Sequence, residues 1–213
     1  MVGPGLTSDG VDADPTPEGL PGLLRRISAC TLCAADLPAG PRPIVQAATP
    51  ARILIIGQAP GSAVHASGIA WDDPSGDRLR AWTGLARDVF YDPAQVALMP
   101  MGFCYPGKID GAGDAPPRRE CAPQWHDALR AHLPRVRLTI LVGQYAQGAY
   151  AANRRGSLTE RVRNLDGAPN DQVSLPHPSW RSTGWMARNP WFECETLSVL
   201  RSRVAAALAG RAG

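Results

Sequence analysis

The pattern of apolar and polar positions divides the chain into short segments of alternating type. Ile53 to Ile56 is an unbroken apolar run, rich in β-branched residues and too short for a helix. Apolar positions with no polar alternation are what a parallel sheet buries on both faces of a central strand. Leu138 to Val142 repeats the pattern and ends at Gly143, and Val96–Met101 and Val173–Leu175 complete a set of four strands. Between them the period changes to that of a helix. Glu18 to Ala29 carries Leu20, Leu23, Leu24 and Ile27, and Asp77 to Leu85 carries Leu79, Trp82 and Leu85. Ala122–His132 and Gln144–Ala152 read as further helices, and Pro190–Leu208 closes the chain with proline at its first turn. Strands alternating with helices predict a single α/β domain over residues 18–213. Its expected form is a three-layer α/β/α sandwich around a mostly parallel four-stranded sheet.

The segments between these elements carry the candidate chemistry. Gly57-Gln58-Ala59-Pro60-Gly61 follows the first strand, at the carboxyl end where open α/β sheets place ligands. Ser62 to Pro74 reads as a functional loop, with His65, Gly68 and Trp71 followed by Asp72, Asp73 and Pro74. Phe103 to Cys121 is Pro/Gly-rich and basic, with Arg118 and Arg119 just before its last cysteine. The last strand runs directly into His177-Pro178-Ser179-Trp180-Arg181. Residues 1–17, rich in Gly, Pro and Asp, predict a disordered tail.

Composition changes this picture only in places. The chain has 213 residues, 44% of them apolar and 19% charged, with a net charge of +3. That balance suits a globular domain and tolerates nucleic acid without requiring it. Lys108 is the only lysine among the 22 Lys and Arg residues, and arginine's planar fork suits phosphate oxygens. No apolar run has the length of a membrane span. The N-terminus lacks the basic-then-apolar pattern of a secretory signal, so a cytoplasmic location is expected, and a monomer is the expected state. Cysteines are then expected as thiols or ligands rather than disulfides. Cys30 and Cys33 form a CxxC pair, Cys104 and Cys121 follow, and Cys194 stands apart.

Gly57-Gln-Ala-Pro-Gly61, His177-Pro-Ser179 and the four cysteines, in that arrangement, resemble the uracil-DNA glycosylase superfamily. Within it the cysteines are similar to those of the iron–sulfur-containing family 4 enzymes. The resemblance spans roughly Cys30 to Leu208. It implies a DNA repair enzyme that flips uracil out of the stack and hydrolyses its N-glycosidic bond. It implies also that Cys30, Cys33, Cys104 and Cys121 ligate a structural [4Fe–4S] cluster, with zinc as the alternative occupant or free thiols.

Carried over residue by residue, Trp71 stands where family 4 has a phenylalanine stacked on uracil. His177 resembles the histidine that stabilises charge at the base O2 oxygen. Family 4 has an acidic residue where this chain has Gln58, which can orient a water but cannot accept its proton. Asp73 or Asp72 takes that part in the manner of family 5, Asp73 having the closer spacing; the other reading is a cap for the following helix. Family 4 also has an asparagine, four residues before the third cysteine, that reads the base edge; here it is Pro100. The edge then falls to backbone groups of Met101, Gly102 and Phe103, or to Gln58 or Gln144, with Gly57, Ala59, Pro60 and Gly61 as pocket wall. Arg181, with Trp180 and Ser179, matches a wedge loop that fills the gap left by the flipped base. Arg118, Arg119 and Arg188 are candidate phosphate contacts. His65 is a secondary candidate, while His126 and His132 read as surface residues of a helix. The departures at Gln58 and Pro100 leave two other readings: a non-catalytic protein that binds uracil or abasic DNA, or a glycosylase for another deaminated base.

Overall fold

The computed structural model describes residues 19–111, 113–163 and 171–210; the tail expected over residues 1–17 lies outside them. In chain order the strands are β1 (Ile53–Ile56), β2 (Val96–Leu98), β3 (Lys108–Ile109), β4 (Gly113–Asp114), β5 (Leu138–Val142) and β6 (Gln172–Leu175). The α-helices are α1 (Leu20–Ser28), α2 (Ser62–Ser67), α3 (Pro74–Thr83), α4 (Arg87–Phe90), α5 (Asp127–Ala131), α6 (Gly143–Tyr150), α7 (Leu158–Arg163), α8 (Thr183–Arg188) and α9 (Leu197–Ala209).

Four strands form one parallel sheet in the order β2-β1-β5-β6. Ile53 pairs with Val96 on one side and with Leu138 on the other, so β1 is interior as its apolar run requires. Its side chains alternate across the sheet. Ile53 and Ile55 pack with Leu79, Trp82, Phe90, Phe192 and Leu200. Leu54 and Ile56 pack with Leu23, Ile27, Trp125, Leu129 and Ala146 on the opposite face. Thus α3 and α9 cover one face and α1, α5 and α6 the other, giving the three-layer α/β/α arrangement. Each of the leucine and isoleucine side chains here contributes about 1.5–3 kcal/mol by leaving water.

The structure departs from the predicted elements where local chemistry intervenes. β2 ends at Leu98 rather than Met101, with Pro100, which has no N–H to give, just beyond it. α3 starts at Pro74, earlier than the Asp77 expected, because Asp73 caps it. The helices predicted at Ala122 and Pro190 each open with a π-helical turn, Ala122–His126 and Phe192–Thr196, before α5 and α9. The supposed loop over Ser62–Pro74 contains α2, and the basic Phe103–Cys121 stretch contains the β3–β4 hairpin.

Candidate functional site

The strand order reverses between β1 and β5, which is where an open α/β sheet leaves a crevice beyond its strand ends. A cavity of about 650 Å³ opens there. Gly57, Gln58, Ala59, Pro60 and Gly61 from the end of β1 form one wall. Gln144, after β5, and His177, Ser179, Trp180 and Arg181, after β6, form the others. Two segments far apart in sequence therefore meet because their strands lie on either side of β5.

Trp71 is set across this cavity by an unusual backbone. Its φ is 58°, a left-handed conformation that is costly for a bulky residue and clusters at functional sites. Four neighbours hold it. The indole lies on Gly57, where an added Cβ would come within 2.6 Å of the ring. A Cβ on Gly76, in the first turn of α3, would lie 1.7 Å from the Trp71 carbonyl oxygen. That oxygen accepts from Arg80 Nη1 at 3.3 Å and from the Tyr91 hydroxyl at 3.2 Å. Held from below and behind, the indole stands against the His177 ring, with centroids 5.8 Å apart and planes inclined by 33°. An aromatic face and an imidazole thus border the same space.

His177 is half-buried, and Ser182 Oγ donates to its carbonyl at 2.5 Å. Burial pushes its pKa below the usual histidine value, opposed by the charges of Asp73 and Asp114. The imidazole is therefore biased toward its neutral form. The neighbouring aspartates part company. Asp73 lines the cavity while its Oδ1 accepts from Gly76 N–H at 2.8 Å, so it is both helix cap and pocket residue. Asp72 is not among the lining residues and pairs with Arg87 at 3.0 Å.

Other expected residues lie elsewhere. Met101 N–H donates to Gly57 O at 2.9 Å and Gly102 N–H to Gln58 O at 3.0 Å. Phe103 N–H is directed at the Cys121 thiol. These three donors fasten the loop to its neighbours rather than facing the cavity. Arg118 pairs with Asp36 at 2.8 Å and Glu120 at 2.6 Å and lines the thiol pocket beside Cys33, so it belongs to that pocket and not to an open phosphate face. Arg119 and Arg188 are exposed and outside the cavity. His65 on α2 faces Tyr105, with ring centroids 5.8 Å apart.

His126, expected at the surface, is buried. The π-helical turn aims its ring inward, stacked between Phe103 and Tyr150 at 5.5 and 5.8 Å. Its nitrogens meet the Tyr150 hydroxyl at 2.6 Å and Pro100 O at 3.1 Å. Burial lowers its pKa to about 4.

Among the pocket residues that the sequence reading does not single out are Trp185 on α8 and Asp114 on the β3–β4 hairpin. For the second a signal exists, since Asp110-Gly111 is a dipeptide typical of tight hairpin turns.

The second cluster lies behind the Phe103 loop. Cys30, Cys33, Cys104 and Cys121, all free thiols, line one small pocket with Leu37, Phe103 and Trp125. Burial raises the Cys33 and Cys104 thiols and pushes Cys121 up to about 11. Arg118 Nε and Glu120 Oε2, at the edge of this pocket, are buried without hydrogen-bond partners among the described residues. Four converging soft donors and an orphaned guanidinium N–H fit an anionic metal–thiolate group. Among the described residues no three His, Cys, Asp or Glu side chains close to the spacing of a single bound ion. Cys194 is exposed, apart from the set.

Fold and crevice together define an α/β/α protein with its ligand site at the carboxyl ends of parallel strands. The chain matches the family model of the uracil DNA glycosylase superfamily over residues 45–201, and it belongs to that superfamily. The family supports a glycosylase that acts on DNA. The matched span holds both pocket motifs, Cys104 and Cys121, and starts after Cys30 and Cys33. No helix among the described residues is long and apolar enough to cross a membrane.

Proposed function

We propose that the protein excises uracil from DNA, hydrolysing the N-glycosidic bond and leaving an abasic site. The observation that carries this reading is the locked Trp71 indole standing beside the His177 ring on the wall of the cavity. A flipped base needs a stacking face and a donor at the oxygen where its charge develops. Trp71 supplies the first and His177 the second. Asp73 orients the attacking water; its fixed cap bond to Gly76 N–H holds the carboxylate in place. Gln58 and Gln144, the side-chain amides on the cavity wall, are the groups left to read the base edge. Arg181 and Trp180 at the mouth fill the gap in the stack.

Cys30, Cys33, Cys104 and Cys121 hold a [4Fe–4S] cluster, as the family 4 resemblance implies, with zinc the competing occupant. When bound, the cluster supplies a cross-link between the end of α1, the Phe103 loop and the turn before α5. Its part is to fasten structure rather than to enter the reaction.

One observation favours a second reading, a glycosylase for another deaminated base. Pro100 lines the cavity with no side-chain amide, and the N–H groups of Met101, Gly102 and Phe103 are engaged elsewhere. A labelled duplex with one uracil, hypoxanthine or xanthine separates the cases. Heat or alkali after incubation cuts the strand only where a base has been removed. Cleavage at uracil supports the first reading and cleavage only at another base supports the second. Binding without cleavage at any of them points to a non-catalytic protein.

A further inference from the structure

We infer that Asp114 is a second catalytic carboxylate of this cavity, acting with Asp73 on the attacking water and the sugar; the inference rests on the glycosylase reading above. The two acids come from unrelated elements, the β3–β4 hairpin and the start of α3, yet they face one point. Measured from where a Cβ on Gly61 would stand, Asp114 Oδ2 lies at 3.4 Å and Asp73 Oδ2 at 4.0 Å. Glycine at position 61 leaves that point open. Asp73, Asp114 and His177 all line this cavity, and the charges of the two carboxylates act on the imidazole.

The location is unfavourable for simple DNA binding. A carboxylate at the mouth of a cavity that takes a polyanion opposes the phosphates. Asp114 stands opposite Lys108 in the two-residue ladder, but both residues are exposed, where a cross-strand charge pair contributes little, so the hairpin alone gives a weak reason for the carboxylate. A negative group is favourable where positive charge grows, and glycosidic cleavage produces an oxocarbenium-like sugar. In the step proposed, the water oxygen bonds to C1′ as the C1′–N bond breaks. The electron pair leaves on the base nitrogen, on the His177 side. The proton lost by the water passes to the carboxylate pair and from there to solvent. Asp73 has one oxygen committed to Gly76 N–H, so a second carboxylate widens the acidic wall facing the sugar.

Two measurements on the full chain test this. In single-turnover excision from a uracil duplex, Asp114→Asn should slow the reaction roughly 10- to 100-fold, less than a sole base would because Asp73 remains. Binding of the same DNA should be unchanged or tighter. The second probe needs no base to be cut: duplexes carrying a cationic pyrrolidine or a neutral tetrahydrofuran at the abasic position. Wild type should prefer the cationic analogue, and Asp114→Asn should lose most of that preference while keeping its affinity for the neutral one. If Asp114→Asn excises at the wild-type rate with the preference intact, or weakens both analogues equally, Asp114 is not catalytic. If His177→Ala is slow while Asp114→Asn is not, the glycosylase reading stands and only this inference falls. A wild type that neither excises uracil nor prefers the cation overturns both.

Discussion

The crevice and the thiol pocket lie on either side of one short loop, Pro100 to Cys104, and are built on opposite terms. The crevice is open, about 650 Å³, and keeps a tryptophan in a left-handed backbone conformation against two glycines. The thiol pocket is small, has a mostly apolar lining with Arg118 at its edge, and raises three of its four thiols by burial. Backbone strain is a cost that a fold tolerates where a ligand will use it. Buried thiols beside an unpartnered guanidinium N–H suit instead a group that stays in place and holds the chain together. The two regions should therefore fail differently: one loses rate while keeping its fold, the other loses its fold.

The largest expected effect tests the second half of that contrast. Cys104→Ser should destabilise the whole domain, seen as loss of iron and a collapsed thermal transition by circular dichroism. The wild-type protein should be brown, with broad absorbance near about 400 nm. A colourless anaerobic preparation with stoichiometric zinc would assign the site to zinc. Cys194→Ser, at the exposed cysteine, should change neither colour nor stability.

Next come the crevice residues. His177→Ala should lower the single-turnover rate by about 100- to 1000-fold with little change in DNA affinity, as loss of a donor to developing charge does. Asp73→Asn keeps the side chain's size and should also cut the rate. Asp72→Asn, which disturbs only the pairing with Arg87, should not. A larger loss at Asp72 than at Asp73 would reverse the assignment. If Gln58→Ala alone abolishes cleavage, the β1 turn positions the water by itself.

How much of this was legible in the sequence divides along the same line. The sheet was legible because apolar runs such as Ile53–Ile56 leave few alternatives, and both motifs fall at strand ends where a parallel sheet must put them. The convergence of four cysteines was legible through resemblance, as spacing in sequence does not bring Cys30 near Cys121. What stayed hidden depends on orientation. Spacing from Trp71 favours Asp73 over Asp72, but that Asp73 is both pocket residue and cap is not legible, since the bond to Gly76 N–H needs the helix to exist. A regular helix over Ala122–His132 predicts an exposed His126, and the π-helical turn changes which way the side chain faces. Met101 to Phe103 looked available because their hydrogen-bond partners come from distant segments.

His126 joins the two regions, standing between Phe103 and Tyr150 and bonding to Pro100 O. Its pKa of about 4 in the fold lies below that of an unfolded histidine, so acid favours the unfolded chain. The unfolded form takes up a proton as pH falls through about 6.5, and the folded form resists until about 4. Stability should thus drop by about 2 kcal/mol between pH 7 and pH 5 from this residue alone. Denaturant titrations at both pH values should show that slope in wild type and a shallower one in His126→Phe, whatever the variant's stability at neutral pH. Equal slopes would mean that the ring is accessible to protons in the fold.

The smallest effect separates two tasks within the crevice mouth. Trp180 is 75% exposed, and the Arg181 guanidinium lies over its ring at 5.6 Å while also crowding Gly113 of the hairpin. An exposed indole backed by a planar cation is suited to slide into a base stack, and unstacking a step costs about a few kcal/mol. A plug that recovers even 1.4 kcal/mol of that cost is worth about tenfold in rate. Arg181→Ala should therefore slow excision from duplex DNA about tenfold more than from a single strand, where there is no stack to fill. The comparison cancels any general loss of charge, because both substrates carry phosphates. Equal losses on the two substrates would make Arg181 a phosphate contact and leave the wedge to Trp180. In that case Trp180→Ala, tested in the same pair of assays, should show the duplex-specific loss instead.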